Sequence, residues 1–487
     1  MATLALDTIT VPSLRDYLPS HDARSDNYRE TGSKHYANYI ADEDYILADI
    51  VKRPSAKRED DEREDGKQYF QRPTGRKTCR AFLRAGPRQT TYFDRNDCAA
   101  AIVTCGGLCP GLNDVVYHIV SALSTLYGVK NIFGIRGGWH GFYNGTEPLR
   151  LTERGVSGIQ HEGGTILGAA RGGFEPEKIF DAIKAMGVNL VFIIGGDGTH
   201  RGALRLHEMA RERKEPIAFA GIPKTIDNDI GIIDRSFGFE SAVEEARRVI
   251  KCAKTEAACA PNGVGIVKLM GRHAGFIAVY ATLASSDVDL VLIPELPLDV
   301  DPDSPTNCLD HVRAIVRDKG HAVVVVAEGA GADVLLKDVS SKETNAAGVQ
   351  PKLPPIGEWI KKKLQDHLAK DAKDGTKGFQ ATVKYIDPSY IIRSVPANAA
   401  DSIYSLLLAQ NAVHGSMAGY SGFSPGLCNN RVVFLPIDTL VNNSPRGINP
   451  NGRTIERILS ITHQPLKRDA PPPPAALRRP FSYSQTG

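Results

Sequence analysis

From Cys98 onward, short runs of branched and apolar residues alternate with amphipathic stretches of helical length. The runs lie at 99 to 104, 131 to 135, 190 to 194, 217 to 222, 264 to 269, 290 to 293, 322 to 327 and 431 to 435, each too short for a buried helix. Between them, 112 to 126, 176 to 186, 201 to 213 and 241 to 257 carry apolar residues at helical spacing. Strands separated by helices require right-handed crossovers. The spacing therefore predicts an α/β fold with mainly parallel sheets and ligand sites at the carboxyl ends of strands. A chain of 487 residues, 42% of them hydrophobic, can bury two ordinary cores, so at least two lobes are expected.

The flanks lack this rhythm. Residues 1 to 97 show little periodicity, and the mixed charge run from Arg58 to Asp65 reads as a solvated arm or linker. Residues 331 to 380 read as an inserted surface element with one helix candidate, 356 to 369, bearing Lys361, Lys362 and Lys363. From Pro471 the tail is proline-rich, which predicts an extended segment. Lys and Arg total 59 against 56 Asp and Glu, a net charge of +3. Such a balance is no footprint for nucleic acid or a membrane surface, so an anionic ligand must be held by local charges. Eight cysteines in so long a chain fit no disulfide framework, and Cys105 and Cys109 show no paired zinc spacing; reduced thiols inside a cell are expected. No apolar run approaches the roughly 20 residues of a spanning helix. Residues 1 to 20 hold Asp7 and Asp16 and no secretory block, so the expected location is the cytoplasm, with a plastid left open.

Glycine-rich turns supply the candidate chemistry. The run at 190 to 194 ends in Gly195-Gly196-Asp197-Gly198-Thr199, where glycines let the backbone turn close to a ligand and Asp197 and Thr199 add a carboxylate and a hydroxyl. That suits a phosphate and its metal ion. The next strand stops at Pro223-Lys224-Thr225-Ile226-Asp227-Asn228-Asp229: a lysine, a hydroxyl and two carboxylates spaced two apart, as phosphoryl transfer needs for charge neutralisation, positioning and a proton acceptor. Gly106-Gly107 leads from the first strand into a helix, a general anion device, with a bare tight turn as the lesser alternative. Its spacing departs from the dinucleotide pattern, and the second strand runs to Arg136 rather than to an acidic residue. A further glycine-rich segment, 163 to 173, holds Arg171, whose forked donors match phosphate oxygens. Together these residues point to a sugar phosphate kinase.

Four separated motifs, GGTILGAAR at 163 to 171, GGDGT at 195 to 199, PKTIDND at 223 to 229 and Met270-Gly271-Arg272, resemble those of the 6-phosphofructokinases, in that family's order. The resemblance covers about 99 to 463 and is similar in detail to the long plant-type and trypanosomatid-like ATP-dependent branch. It implies two Rossmann-like lobes with the active site between them, usually a homotetramer, taking ATP, Mg2+ and fructose 6-phosphate. The implied boundaries are an extension at 1–97, a nucleotide lobe of 98–238 plus 393–440, a sugar phosphate lobe of 239–392 plus 441–465, and a tail at 466–487. By the same resemblance Asp227 is the base for the sugar 1-hydroxyl, Asp229 and Thr225 orient it, and Lys224 stands beside the transferred group. Asp197 holds Mg2+, and Gly107, Arg171, Gly172, Gly196, Gly198 and Thr199 face the nucleotide phosphates. Met270, Gly271, Arg272 and Glu328 are sugar contacts, and Lys384, Tyr390 and Arg393 match the 6-phosphate site.

Two positions bear on the donor. Pyrophosphate-using relatives commonly carry an aspartate where this chain has Gly198, and its side chain would occupy space the α-phosphate of ATP needs; Lys224 is typical of those same relatives. We weigh Gly198 more heavily because it removes an obstruction, and ATP is the expected donor. The alternatives are a pyrophosphate-dependent phosphotransferase and a non-catalytic regulatory subunit, although such subunits generally lose the aspartates kept here at 227 and 229. Departures from the family pattern are Gly263, where many bacterial members carry an arginine that reaches a neighbouring subunit, and Leu108 in place of an aspartate. Trp139 stands where an aromatic often packs near the adenine.

Overall fold

The computed structural model describes residues 5–19, 39–48, 78–335, 353–373 and 380–466. The alternating runs form the strands of two sheets. The large sheet is ordered β1 (Ala5–Ile9), β3 (Thr78–Arg84), β14 (Arg431–Pro436), β13 (Phe423–Cys428), β8 (Ala218–Pro223), β7 (Leu190–Gly195), β4 (Ala99–Thr104), β5 (Asn131–Ile135) and β6 (Leu149–Arg150), with β2 (Tyr45–Leu47) paired to β3. Its centre, β13-β8-β7-β4-β5, is parallel. Both faces are covered, which is why β4, β7 and β8 read as unbroken apolar runs. Ile102, Phe192 and Ile194 face the core shared with α1 (Leu112–Ser121) and α8 (Ala399–Met417), while Val103, Val191 and Ile193 face α2 (Pro176–Ala185) and α3 (Asp197–Arg213).

The small sheet is wholly parallel, ordered β10 (Leu290–Leu292), β11 (His321–Ala327), β9 (Gly263–Leu269) and β12 (Thr382–Ile386). On one face lie α4 (Phe239–Ala258) and α5 (Phe276–Ser285); on the other lie α6 (Cys308–Lys319) and α7 (Ile356–Lys373). The architecture is therefore α/β with two layered sheets, as the alternation predicts.

Two expectations change. The segment 331 to 380 is not only a surface element: Ile356, Ile360, Leu364 and Leu368, four apart on α7, close one face of the small sheet, and Lys362 and Lys363 occupy the exposed side. The region before Cys98 is not only an arm, because β1 to β3 extend the large sheet past β14. Their short lengths and mixed composition hide them among polar neighbours. The charge run at 58 to 65 and the proline-rich tail lie outside the described residues. Among the described residues no helix is long and apolar enough to cross a membrane.

Candidate active site

Parallel strands aim their carboxyl ends the same way, so β4, β7 and β8 deliver their loops side by side. At the end of β7, Gly195 is required because a Cβ there would sit 2.5 Å from the Thr199 side chain. Gly196 then caps α3, and Asp197, Gly198 and Thr199 form its first turn, the Thr199 amide donating back to the Gly196 carbonyl at 3.0 Å. Asp197 Oδ2 meets Arg201 at 3.3 Å, while its Oδ1 is enclosed without a hydrogen-bond partner among the described residues. Gly198 is exposed, and a Cβ there would meet nothing within 4 Å.

The β8 loop is laced to its neighbours. Lys224 N–H donates to the Gly195 carbonyl at 2.9 Å, and its buried ammonium donates to the Gly107 carbonyl at 2.8 Å. Lys224 thus braces the first glycine loop from below. Burial pulls its pKa down, against the favourable pull of Cys109 and Cys105. The Thr225 hydroxyl donates to Asp229 Oδ1 at 2.8 Å and accepts from the Asp227 amide at 3.2 Å, so one hydroxyl fixes both aspartates. Arg171 leans over the same glycine loop, its Nη2 3.4 Å from where a Cβ on Gly107 would stand. Gly172 follows Arg171 in its own exposed loop, at positive φ.

From the small sheet, Met270, Gly271 and Arg272 follow β9 and Glu328 follows β11. The two turns are joined by Glu328 N–H to the Leu269 carbonyl at 2.9 Å and Gly329 N–H to the Gly271 carbonyl at 3.2 Å. Glu328 and Arg272 act electrostatically on Asp227, and Asp197 acts on Asp229, so loops from both sheets converge. The structure does not bring Lys384 into this cluster: it lies within β12, paired with Glu256 of α4. The lysine that acts on Glu328 is Lys268, held by Asp387 at 2.6 Å. Strand alternation was the available signal, since Lys268 lies one residue from the end of β9. Tyr390 is 75% exposed and carries the Arg393 guanidinium on its ring at 5.0 Å. Trp139 is no free adenine platform; it is buried against Phe142 and Phe174 in the core beside β4 and β7. Arg446, which the sequence pattern did not single out, clamps the β8 loop through its backbone amide to the Asp229 carbonyl and its side chain to the Asn228 carbonyl.

The sequence profile described as Phosphofructokinase matches residues 99–416. The chain belongs to the phosphofructokinase family. The ATP-dependent 6-phosphofructokinase 1 of Arabidopsis thaliana is 49% identical over 386 residues, 79% of each chain. The ATP-dependent 6-phosphofructokinase 4, chloroplastic, of the same plant is 42% identical over 461 residues, 93% of this chain and 81% of its own. Among solved structures, a pyrophosphate-dependent phosphofructokinase from Nitrosospira multiformis shares the fold at a TM-score of 0.58, with 20% identity, over 77% of this chain and 95% of its own.

In this phosphofructokinase two half-buried carboxyls stand close together. Burial first, then Asp229 and Glu328, hold Asp227 well above the usual carboxylate range, against Lys224 and Arg272. Burial also raises Asp229, opposed by its bond from Thr225. One enclosed oxygen of Asp227, Oδ1, has no hydrogen-bond partner among the described residues, an unmet acceptor inside the cluster. Removing a negative neighbour must lower the Asp227 pKa. Glu328→Gln is therefore expected to move the acid limb of the pH profile of kcat/KM to lower pH, whatever it does to the height of the plateau. A limb that stays in place or rises would separate Glu328 from Asp227.

Proposed function

We infer that the chain is an ATP-dependent 6-phosphofructokinase, transferring the terminal phosphoryl group of ATP to the 1-hydroxyl of fructose 6-phosphate. The products are fructose 1,6-bisphosphate and ADP. The observation that carries this reading is the convergence of the β8 loop with the glycine turn of β7 on one side and Arg272 and Glu328 on the other. Relatives named ATP-dependent 6-phosphofructokinase at 42% and 49% identity support it.

The sugar oxygen attacks the terminal phosphorus as the bond to the ADP oxygen breaks, and the hydroxyl proton passes to Asp227. In a loose transition state that proton leaves late, so orientation counts for more than basicity. Thr225 supplies the orientation by tying the Asp227 amide and the Asp229 carboxylate together. Arg272 and Glu328 offer a cation and an acceptor to the sugar phosphate, and Met270 and Gly271 shape the turn that carries Arg272. Lys268 adds a cation beside Glu328, while the family pattern assigns the 6-phosphate to Lys384, Tyr390 and Arg393. Arg171, the amides of Gly107, Gly196 and Gly198 and the Thr199 hydroxyl would face the donor phosphates.

Among the described residues no three His, Cys, Asp or Glu side chains gather as a metal cage. That fits Mg2+, which keeps waters and is held by one or two carboxylates plus phosphate oxygens. Asp197, with its enclosed Oδ1 unengaged, would hold it, with Asp229 nearby. The ion neutralises charge on the donor phosphates when bound. The same reading places the chain as a homotetramer in the cytoplasm or a plastid.

A donor comparison tests the proposal. Purified protein with fructose 6-phosphate and Mg2+ is expected to turn over with ATP at least about tenfold faster than with pyrophosphate. Faster turnover with pyrophosphate would overturn the donor assignment, and turnover with neither would overturn the enzyme.

A further inference from the structure

We propose that His200 is a positioning residue for the donor phosphate turn, acting as a neutral imidazole whose Nδ1–H fixes the Gly196 carbonyl and thereby the Asp197 backbone. The inference rests on the phosphoryl transfer reading, with the β7 turn on the donor side. His200 lies in the first turns of α3, and only 1% of it is exposed. Its Nδ1 is 3.0 Å from the Gly196 carbonyl oxygen. A carbonyl only accepts, so Nδ1 carries a proton, and in the neutral ring Nε2 carries none. Nε2 is enclosed without a partner among the described residues, as expected of an unprotonated nitrogen in an apolar place. Burial lowers the ring's pKa and so favours the neutral form, against the pull of the Gly196 carbonyl, Asp197 and the Gly195 backbone.

The Gly196 carbonyl also accepts from the Thr199 and His200 amides, each at 3.0 Å. Three donors on one oxygen hold the peptide plane between Gly196 and Asp197, and that plane sets the direction of the Asp197 amide and Cα. A glycine at 196 has no side chain to do this for itself. The ring also reaches the second loop: a Cβ on Gly221 would stand 2.7 Å from His200 Cδ2 and Nε2, so β8 presents a bare glycine to the imidazole. Gly221 pairs with Ile193 on β7 and precedes Lys224 by three residues. The imidazole therefore touches the turn after β7 and the strand β8 that delivers the second loop, and motif matching overlooks it because it follows the GGDGT signature.

Asparagine at 200 can place its amide N–H close to where Nδ1–H stands; leucine fills the volume without a donor; glutamine carries its amide one bond farther, toward the Nε2 side. We expect His200→Leu to weaken Mg-ATP binding and to lower kcat/KM for ATP by about 10- to 100-fold, the scale of a small misplacement at a reacting centre. The KM for fructose 6-phosphate should stay within about twofold, and His200→Asn should recover donor binding to within about threefold. Melting temperatures of all variants are recorded alongside, since a purely structural role would lower stability for Leu and Asn alike without a donor-specific effect. Where Leu fails to fold, Gln serves as the donor-misplaced variant. Equal losses in the Asn and Leu (or Gln) proteins, or wild-type donor binding in both, would overturn the proposal. Calorimetric binding of Mg-ATP keeps the test independent of turnover, so a wild-type protein that binds Mg-ATP but does not phosphorylate the sugar counts against the proposed reaction and not against His200.

Discussion

Replacing Asp227 with alanine is expected to cut turnover by about a hundred- to ten-thousand-fold, the range for losing a general base, while leaving the KM for fructose 6-phosphate within a few fold. The same position should show the opposite sign in stability. Its carboxyl is raised by burial and by Asp229 and Glu328, so ionising it is harder in the folded chain than in the unfolded one. A raised carboxyl contributes stability in full below the unfolded value near 3.8, and loses it as pH climbs through the folded value. Asp227→Asn removes that loss, so its melting temperature should exceed the wild type's by a few degrees at pH 8, with the gap closing as pH falls toward 4. A slow enzyme that melts higher is the signature of a carboxylate held partly desolvated for chemistry. Turnover within tenfold of wild type, or no thermal gain at pH 8, would remove Asp227 from its assigned role.

The parts of the fold that the sequence made visible are those where one physical rule acts alone. β4, β7, β8 and β11 are covered on both faces, so each is an uninterrupted apolar run, and the order of strands and helices followed from them. β13 was invisible because Phe423-Ser424-Pro425-Gly426-Leu427-Cys428 mixes poor strand formers. Pro425 is tolerated there because pairing with β8 is confined to Phe423, and Gly426 is bare because a Cβ would stand 2.4 Å from Ile233. The long helix α8, almost wholly buried in its second half, has little amphipathic contrast to read. In the site, the loops of β7 and β8 were legible because glycines and acids cluster at strand ends. Lys384 was misplaced because a motif carries spacing and not side-chain direction, and alternation on β12 sends it to Glu256. Arg446 and Lys268 lie outside the motifs and are recognised only once the chain is folded.

Gly198→Asp is expected to raise the KM for ATP by about 10- to 100-fold and to leave the melting temperature and the KM for fructose 6-phosphate near wild type. Nothing in the protein opposes the new side chain. Gly198 has no positive φ, a Cβ there meets nothing within 4 Å, and an acidic residue in the first turn of a helix is electrostatically favoured. The cost must therefore fall on the ligand. A carboxylate added next to Asp197 puts a second negative charge beside the donor phosphates; at a separation near 5 Å and an effective dielectric of about 20, the repulsion is about 3 kcal/mol before screening by Mg2+ and salt, which leaves roughly 1 to 3 kcal/mol. ATP suffers further because its α-phosphate needs the volume that glycine leaves open. Pyrophosphate has no α-phosphate, and Lys224 already stands beneath the neighbouring glycine loop, so the ratio of ATP to pyrophosphate activity should fall even where both rates drop. An unchanged KM for ATP would mean that the nucleotide does not cross Gly198. The preference for ATP would then have to arise elsewhere on the nucleotide, beyond the phosphates.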